Sequence, residues 1–317
     1  MDGRTARALE DLTQRSSFVT TRDAERAGVA GDELRAAHAA GALVRVRVDA
    51  YTTADRWRQL DGAERHRLRV LAAARRLRTP VFTHDSAAAL WRLPRIGPWP
   101  EAVHVSLPHG IGNRSSAGVH RHATRGAVDH VVVLDGVRTT GTARTVVDVA
   151  RTWDFAAALA AADHALRAHW ATPARLAQQL DIAGTGRGVR RARRVVEAAS
   201  GAAESVGESL SRARMIELGL PAPELQHRVE DDEGLVGRVD FWWPDLGLVG
   251  EFDGRAKYRR GGVADERSPE DRLWDEKRRE DRLRALGLRV VRWTWDTALD
   301  PDKLRATLHA VGLRPTT

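Results

Sequence analysis

Apolar positions recur with two different periods along this chain, and the period switches at Gly, Pro and capping residues. Residues 4 to 15, rich in Arg, Ala and Leu, predict a helix. Thr20-Thr21-Arg22-Asp23 supplies a capping residue with an acid in the first turn, so a second helix is expected to run to Ala27 and stop at Gly28. Asp32 opens a third, with Leu34, Ala37 and Ala40 at helical spacing, and Gly41 ends it. Leu43 to Val48 then alternates with period two, turns near Asp49 and resumes at Tyr51-Thr52-Thr53. Two helices across a tight turn followed by a hairpin predict a winged helix-turn-helix. In that motif the second helix enters a major groove, which brings Arg35 and His38 towards base edges and Arg45 and Arg47 towards phosphates. Small winged helices also act as protein-contact modules, and this stretch leaves that alternative open.

The middle of the chain is less informative. A basic helix is expected from Glu64 to Arg78, a short strand at Val81-Phe82-Thr83, and a helix opened by Asp85-Ser86. β-rich runs follow at Val103 to Leu107, Gly118 to His122 and Val131 to Leu134, then an Ala-rich helical stretch from Thr142 to Trp170. His104, His120 and His122 fall on those runs, the last two on one strand face. No neighbouring carboxylate or thiol completes a ligand set, so no metal is assigned there. Gly184-Thr185-Gly186-Arg187-Gly188 lacks the Gly-Lys-Ser/Thr ending of a phosphate loop and reads as a linker.

Pattern and chemistry converge after residue 203. Glu204 to Leu218 predicts a helix with Val206, Leu210 and Ala213 on one face and Glu204, Glu208 and Arg212 on another, ended by Pro221 and Pro223. Two strands, Arg238 to Trp243 and Leu248 to Asp253, flank the loop Pro244-Asp245-Leu246-Gly247. A four-residue hairpin loop there sets Asp240 opposite Glu251 and Arg238 opposite Asp253. Strand alternation sends Asp240, Glu251 and Asp253 to one face, and Val239, Phe241 and Phe252 to the core face. Three converging carboxylates repel unless a cation joins them, and the expected ion is Mg²⁺ or Mn²⁺. In the alternative, Arg238 neutralises Asp253 and leaves Asp240 and Glu251 a solvated pair.

Composition adds compartment and charge. The 317 residues, 42% hydrophobic and 30% charged, fit about two globular domains or three small ones. There are no cysteines, which excludes disulfide scaffolds, thiol nucleophiles and zinc ribbons and fits a reducing cytoplasm. No run approaches the roughly 18 apolar residues of a membrane span, so no membrane role is expected. Residues 1–203 carry 31 basic and 20 acidic side chains, whereas residues 204–317 carry 20 and 23. A basic front section suits a polyanion partner, double-stranded DNA above all. Lys occurs only at 257, 277 and 303, so part of that charge reflects a general preference for Arg.

Glu208, Val239-Asp240-Phe241, Glu251-Phe252-Asp253-Gly254, Lys257-Tyr258, Glu276 to Glu280 and the closing Val290 to Trp295 carry a resemblance over residues 204–296. This segment resembles the PD-(D/E)XK nuclease superfamily, in the branch related to very-short-patch-repair endonucleases. The resemblance implies a restriction-endonuclease-like α/β domain in which Glu208, Asp240 and Glu251 bind Mg²⁺ for phosphodiester hydrolysis. Asp253 stands where that superfamily usually has Lys, and Lys257 is the residue that would return an ammonium to the site. Tyr258, Lys277 and Arg278 are then expected beside the DNA, although Glu276, Glu280 and Arg284 equally predict a solvated helix face. Phe18 to Tyr51, Val137-Arg138-Thr139-Thr140 and Ala143 to Asp148 resemble AbiEi-type antitoxins of toxin–antitoxin systems, which implies promoter binding, autorepression and a cognate toxin. The expected architecture is α/β multidomain: a winged helix at 1–60, an AbiEi-like α+β middle region and linker at 61–203, and a nuclease-like domain at 204–317. The expected function is a Mg²⁺-dependent endodeoxyribonuclease guided by its winged helix. The rival is a non-enzymatic antitoxin or transcriptional repressor with a degenerate nuclease fold.

Overall fold

The structure, a computed structural model, describes residues 3–107, 118–123, 130–254 and 268–315. They fall into two compact α/β units, Met1–Thr152 with Gln178–Ala192, and Trp153–Ala177 with Arg193–Thr317.

The first unit begins with α1 (Gly3–Ser16), β1 (Val19–Thr20), α2 (Thr21–Arg26), α3 (Gly31–Ala39) and the hairpin β2 (Leu43–Arg47) and β3 (Ala50–Thr53). The α2 start follows from its cap: Thr20 Oγ1 accepts from Asp23 N at 3.1 Å, and the Asp23 carboxylate accepts from Thr20 N at 3.2 Å. β1, β3 and β2 form a three-stranded sheet in that order. Leu9, Val19, Ala24, Val29, Leu34, Ala37 and Leu43 make its core. Next come α4 (Ala54–Gln59) and α5 (Gly62–Ala74), the latter capped by Asp61. Leu68 and Ala72 of α5 bury against Phe18, Val46 and Ala50, so the hairpin and the region after residue 60 share one core.

Beyond α5 lie β4 (Val81–Phe82), α6 (His84–Leu90), β5 (Val103–Leu107), β6 (Val119–Ala123), β7 (Val131–Leu134), β8 (Val137–Thr140) and α7 (Thr142–Ala150). The strands order as β6-β5-β4-β8-β7. Phe82, fully buried, sits at the centre with Val70, Leu90, Val103, Val105 and Val119.

The Ala-rich helical stretch expected from Thr142 to Trp170 holds two helices. α7 ends at Ala150 and α8 (Phe155–Arg167) begins after a cap in which Asp154 accepts from Ala157 N at 2.9 Å. α9 (Pro173–Ala183) and α10 (Val189–Ala198) each contain a point where the chain passes between units. The contact division therefore departs from the expected boundary at 203. The reason is α8, which packs on α11 (Val206–Glu217) and places Asp163 within 2.8 Å of Arg212.

The second unit continues with β9 (Glu224–Asp231), β10 (Gly234–Trp243), β11 (Leu248–Asp253), α12 (Pro269–Ala285), β12 (Arg289–Thr294), α13 (Trp295–Leu299) and α14 (Pro301–Ala310). Its sheet has the order β12-β11-β10-β9, antiparallel except for the parallel β11–β12 pair joined through α12. The hairpin register is the expected one, with Phe241 opposite Gly250 and Trp243 opposite Leu248. Gly247, at φ +52°, closes the turn in the left-handed region that glycine adopts without strain. Leu283 of α12 packs with Val229, Val236, Val239 and Val249. Trp293 of β12 lies 5.2 Å from the Phe241 ring and donates to Ser211 Oγ of α11 at 2.7 Å. Gly207 permits the approach of α11 to β11, because a Cβ there would overlap the Phe252 ring.

Candidate functional site

The carboxylates of the second unit are set by α11 and the end of the β10–β11 ladder. Ser205 caps α11, which turns Glu208 inward until it is 3% exposed. Its Oε2 accepts from Glu204 N at 2.8 Å and from Gln226 Nε2 at 3.0 Å. The same Gln226 amide reaches Asp240 Oδ1 at 3.2 Å, so one side chain bridges the two acids. Gln226 stands on β9 at φ +53°, a conformation that costs a non-glycine residue free energy and marks a constrained position. The ladder partners of β10 and β11 end at Phe241 and Gly250; one step further, Asp240 Oδ2 accepts from Phe252 N at 2.8 Å. Burial, and then the Glu208 and Glu251 charges, push the Asp240 carboxyl up to about 6.

Glu251 has a different environment. Its Oε1 accepts from Arg279 at 2.6 Å and its Oε2 from Arg292 at 2.9 Å. Arg292 lies directly opposite it in the parallel register and also binds Glu276 and Glu280. Asp253 is exposed at the end of β11. Arg238 pairs with Glu204 at 2.5 Å, not with Asp253 as the alternative to a metal site had it.

The expected metal set of Asp240, Glu251 and Asp253 is likewise not assembled. Two guanidinium groups occupy the Glu251 oxygens. Among the described residues, the group of His, Cys, Asp or Glu whose donor atoms come together within 4.8 Å is elsewhere, at His84, His104 and His122. As arranged, the Glu251 oxygens hold two arginines and the Gln226 amide bridges Glu208 and Asp240, so a Mg²⁺ ion would have to displace those donors to gain its oxygen ligands. Lys257 and Tyr258 lie outside the described residues.

Basic residues expected at a polyanion divide in two. Arg35 on α3 and Arg45 on β2 are exposed. His38 on α3 is exposed too, but its Nδ1 lies 3.1 Å from Leu43 O and its ring packs edge-on against Tyr51. Arg47, half-buried on β2, donates to Gly118 O at 3.1 Å. On α12, Lys277 and Arg278 are exposed, with the Lys277 ammonium 5.5 Å from the Trp274 ring centre. Arg279 and Arg282 of the same helix bind Glu251 and Asp231, so only part of that helix faces outward with free charge.

Gln226 and Arg292, the partner of Glu251, were missed from sequence. A polar edge strand gives no periodic signal for the first. For the second, the signal is a charged residue set between the apolar Val291 and Trp293.

Residues 85–198 match the AbiEi antitoxin C-terminal domain. Over 208 residues the chain is 33% identical to uncharacterized protein Rv2248 of Mycobacterium tuberculosis strain H37Rv and, equally, to uncharacterized protein MT2308 of strain CDC 1551, covering 65% of this chain and 72% of each relative. The chain belongs to the family of these mycobacterial proteins. The crystal structure of RV2827C protein from Mycobacterium tuberculosis aligns at TM-score 0.40 and 17% identity, over 62% of this chain and 77% of that one. No helix among the described residues is long and apolar enough to cross a membrane.

Proposed function

We propose that this chain is a DNA-binding regulator of the AbiEi antitoxin type, with a cognate toxin as its protein partner. The observation that carries the reading is the match of residues 85–198 to the AbiEi antitoxin C-terminal domain. The element order before it, helix, strand, two helices and a hairpin, supports a winged helix with α3 as the groove-reading helix, and Arg35 and Arg45 are free to meet DNA. The basic balance of residues 1–203 supports a polyanion partner.

The test is an electrophoretic shift of the duplex upstream of its own coding sequence by the full chain. Binding should weaken steeply between about 50 and 200 mM salt. Arg45→Ala should weaken all duplexes alike, whereas Arg35→Ala should change sequence preference. Binding that ignores salt, or none, overturns the reading.

A second reading is favoured by one specific observation: Glu208 and Asp240 converge on the Gln226 amide at the end of a hairpin, in an α-β-β-β-α-β unit. That order and that acid pair support the nuclease-like assignment of residues 204–317. In this reading the second unit hydrolyses DNA phosphodiesters. Incubation of supercoiled plasmid with the full chain and Mg²⁺ or Mn²⁺, beside Asp240→Ala, decides it. Nicking lost in the variant supports hydrolysis, and intact plasmid with both ions leaves the second unit a binding module.

A further inference from the structure

Three imidazoles that sequence reading left unassigned, or never grouped, come together in the first unit. His84 is the first residue of α6, directly after β4; His104 is on β5 and His122 on β6. β4 runs antiparallel to β5, with Phe82 opposite Val105, while β5 runs parallel to β6, with Ser106 opposite His122. That topology brings one donor atom from each histidine within 4.8 Å of the others. The His84 and His122 rings stack at 3.8 Å with 14° between planes, and His122 Nε2 lies 3.0 Å from His104 Nδ1. From this geometry we propose that His84, His104 and His122 form a binding site for one divalent cation of the zinc class.

Four observations carry it. The first is the orientation of His84. The Thr83 hydroxyl donates to Asp148 Oδ2 at 3.0 Å and therefore accepts from His84 Nδ1–H, also at 3.0 Å. That chain fixes the tautomer with Nε2 bare, the arrangement by which a carboxylate orients and strengthens a metal-binding imidazole. The second is reach: His122 Nε2 lies 3.0 Å from His104 Nδ1, and one donor atom of each of the three rings lies within 4.8 Å of the others. The third is the donor set. Arg95 binds Asp85 Oδ1 and Arg144 binds Asp148 Oδ2, so the set is three imidazole nitrogens, with Asp85 Oδ2 beside it at 3.8 Å from His104 Nδ1. Such a set selects Zn²⁺, Ni²⁺ or Cu²⁺ and rejects the oxygen-seeking Mg²⁺ and Ca²⁺. Zn–N bonds of ~2.0–2.1 Å at a tetrahedral angle put ligand nitrogens roughly 3.3 Å apart, close to the separation the His104–His122 pair already has. The fourth is strain. His84 is held at φ +49°, a left-handed conformation whose cost a buried residue bears where its side chain must be aimed.

Three protein ligands leave a fourth position for water or an incoming donor, the pattern of an open zinc site.

The experiment uses the untagged full chain stripped with a chelator and titrated calorimetrically with Zn²⁺, with Co²⁺ as a spectroscopic substitute. One equivalent of Zn²⁺ should bind and raise Tm, Mg²⁺ should do neither, and the Co²⁺ form should show the ligand-field bands of a four-coordinate nitrogen site. His122→Phe keeps a ring on His84 and should abolish the high-affinity equivalent. Thr83→Val should weaken it by roughly 10–100-fold, the cost of losing an orienting group. His120→Ala, one register step away, should leave it unchanged. Absence of stoichiometric Zn²⁺ binding overturns the proposal, as does equal affinity in wild type and His122→Phe. If His122→Phe does not fold, as judged by circular dichroism, His122→Gln takes its place and the wild-type Co²⁺ spectrum decides; a spectrum without those bands overturns the site.

Discussion

The buried imidazoles of the first unit and the buried carboxylates of the second are shaped by the same force with opposite consequences. Desolvation penalises charge in both. For His66, His84, His104 and His122 it lowers proton affinity, and these groups stay neutral with lone pairs available. For Asp240 it raises proton affinity, while neighbouring Glu251 is bound by two arginines. A cluster of bases in the interior is thus open to a Lewis acid, whereas a cluster of acids needs cations to exist at all. Here arginines supply them to Glu251 and Asp163, while the Gln226 amide bridges Glu208 and Asp240.

The largest expected effect tests the dependence of buried acids on arginine. Asp163 is fully buried, and burial raises its pKa against the opposing pull of Arg212, which holds it with two hydrogen bonds. Asp163→Ala leaves that guanidinium unpaired in the interior and should cost about 3–5 kcal/mol in urea denaturation of the full chain. A cost below about 1 kcal/mol would mean that Arg212 finds water, and that pairing is not what tolerates acids in this unit.

The next probes the imidazoles through His66, whose ring is fully buried between Trp99 and the Pro100 carbonyl and whose pKa burial lowers to about 4. The unfolded chain takes up a proton near 6.5 and the folded one resists until about 4. The stability from this group is therefore complete above pH 6.5 and is lost as pH falls towards 4, by about 3 kcal/mol in all. His66→Gln keeps a donor for Pro100 O and should remove that share of the acid loss, read as amide exchange in α5 and α6.

Asp240 should show the opposite slope. Its folded pKa of about 6 exceeds the unfolded 3.8, so the folded chain holds a proton that the unfolded chain has released. Stability from this group is complete below pH 3.8 and is lost as pH rises through 6. Asp240→Asn should accordingly stabilise the second unit by about 3 kcal/mol at pH 8 and change little at pH 4. A variant that destabilises at pH 8 shows that the charge is paired in the folded state, and the contrast between units collapses.

The smallest effect concerns Glu251→Gln, which keeps one acceptor for Arg279 or Arg292 and should cost about 1 kcal/mol. Stabilisation instead would show that repulsion from Asp240 and Glu208 outweighs the two arginines, and would revive a cation site among the acids.

What was legible in the sequence was local. Thr20 with Asp23 and the alternation of Leu43 to Val48 announce their elements. So does the Pro244–Gly247 turn, which sets the hairpin register by its length. What was not legible depends on partners distant in sequence. Arg292 meets Glu251 only because β11 and β12 run parallel, and parallel register leaves no mark on either strand alone. His84 joins His104 and His122 across β4, β5 and β6, so the cluster escaped a search for close spacing. The break at Asp154 was hidden because Ala on both sides favours helix, and a single capping carboxylate decided the matter.

The polar character of β9 has a consequence beyond hiding it. As the last strand of its sheet it presents a row of backbone donors and acceptors that another copy of the chain would otherwise extend. Glu224, Arg228 and Glu230 line it, and Gln226 at φ +53° breaks its regularity, so a second strand would meet charge and a kink where it needs a flat ribbon. The same residue that bridges Glu208 and Asp240 thereby helps keep the sheet from recruiting its neighbours in a crowded solution.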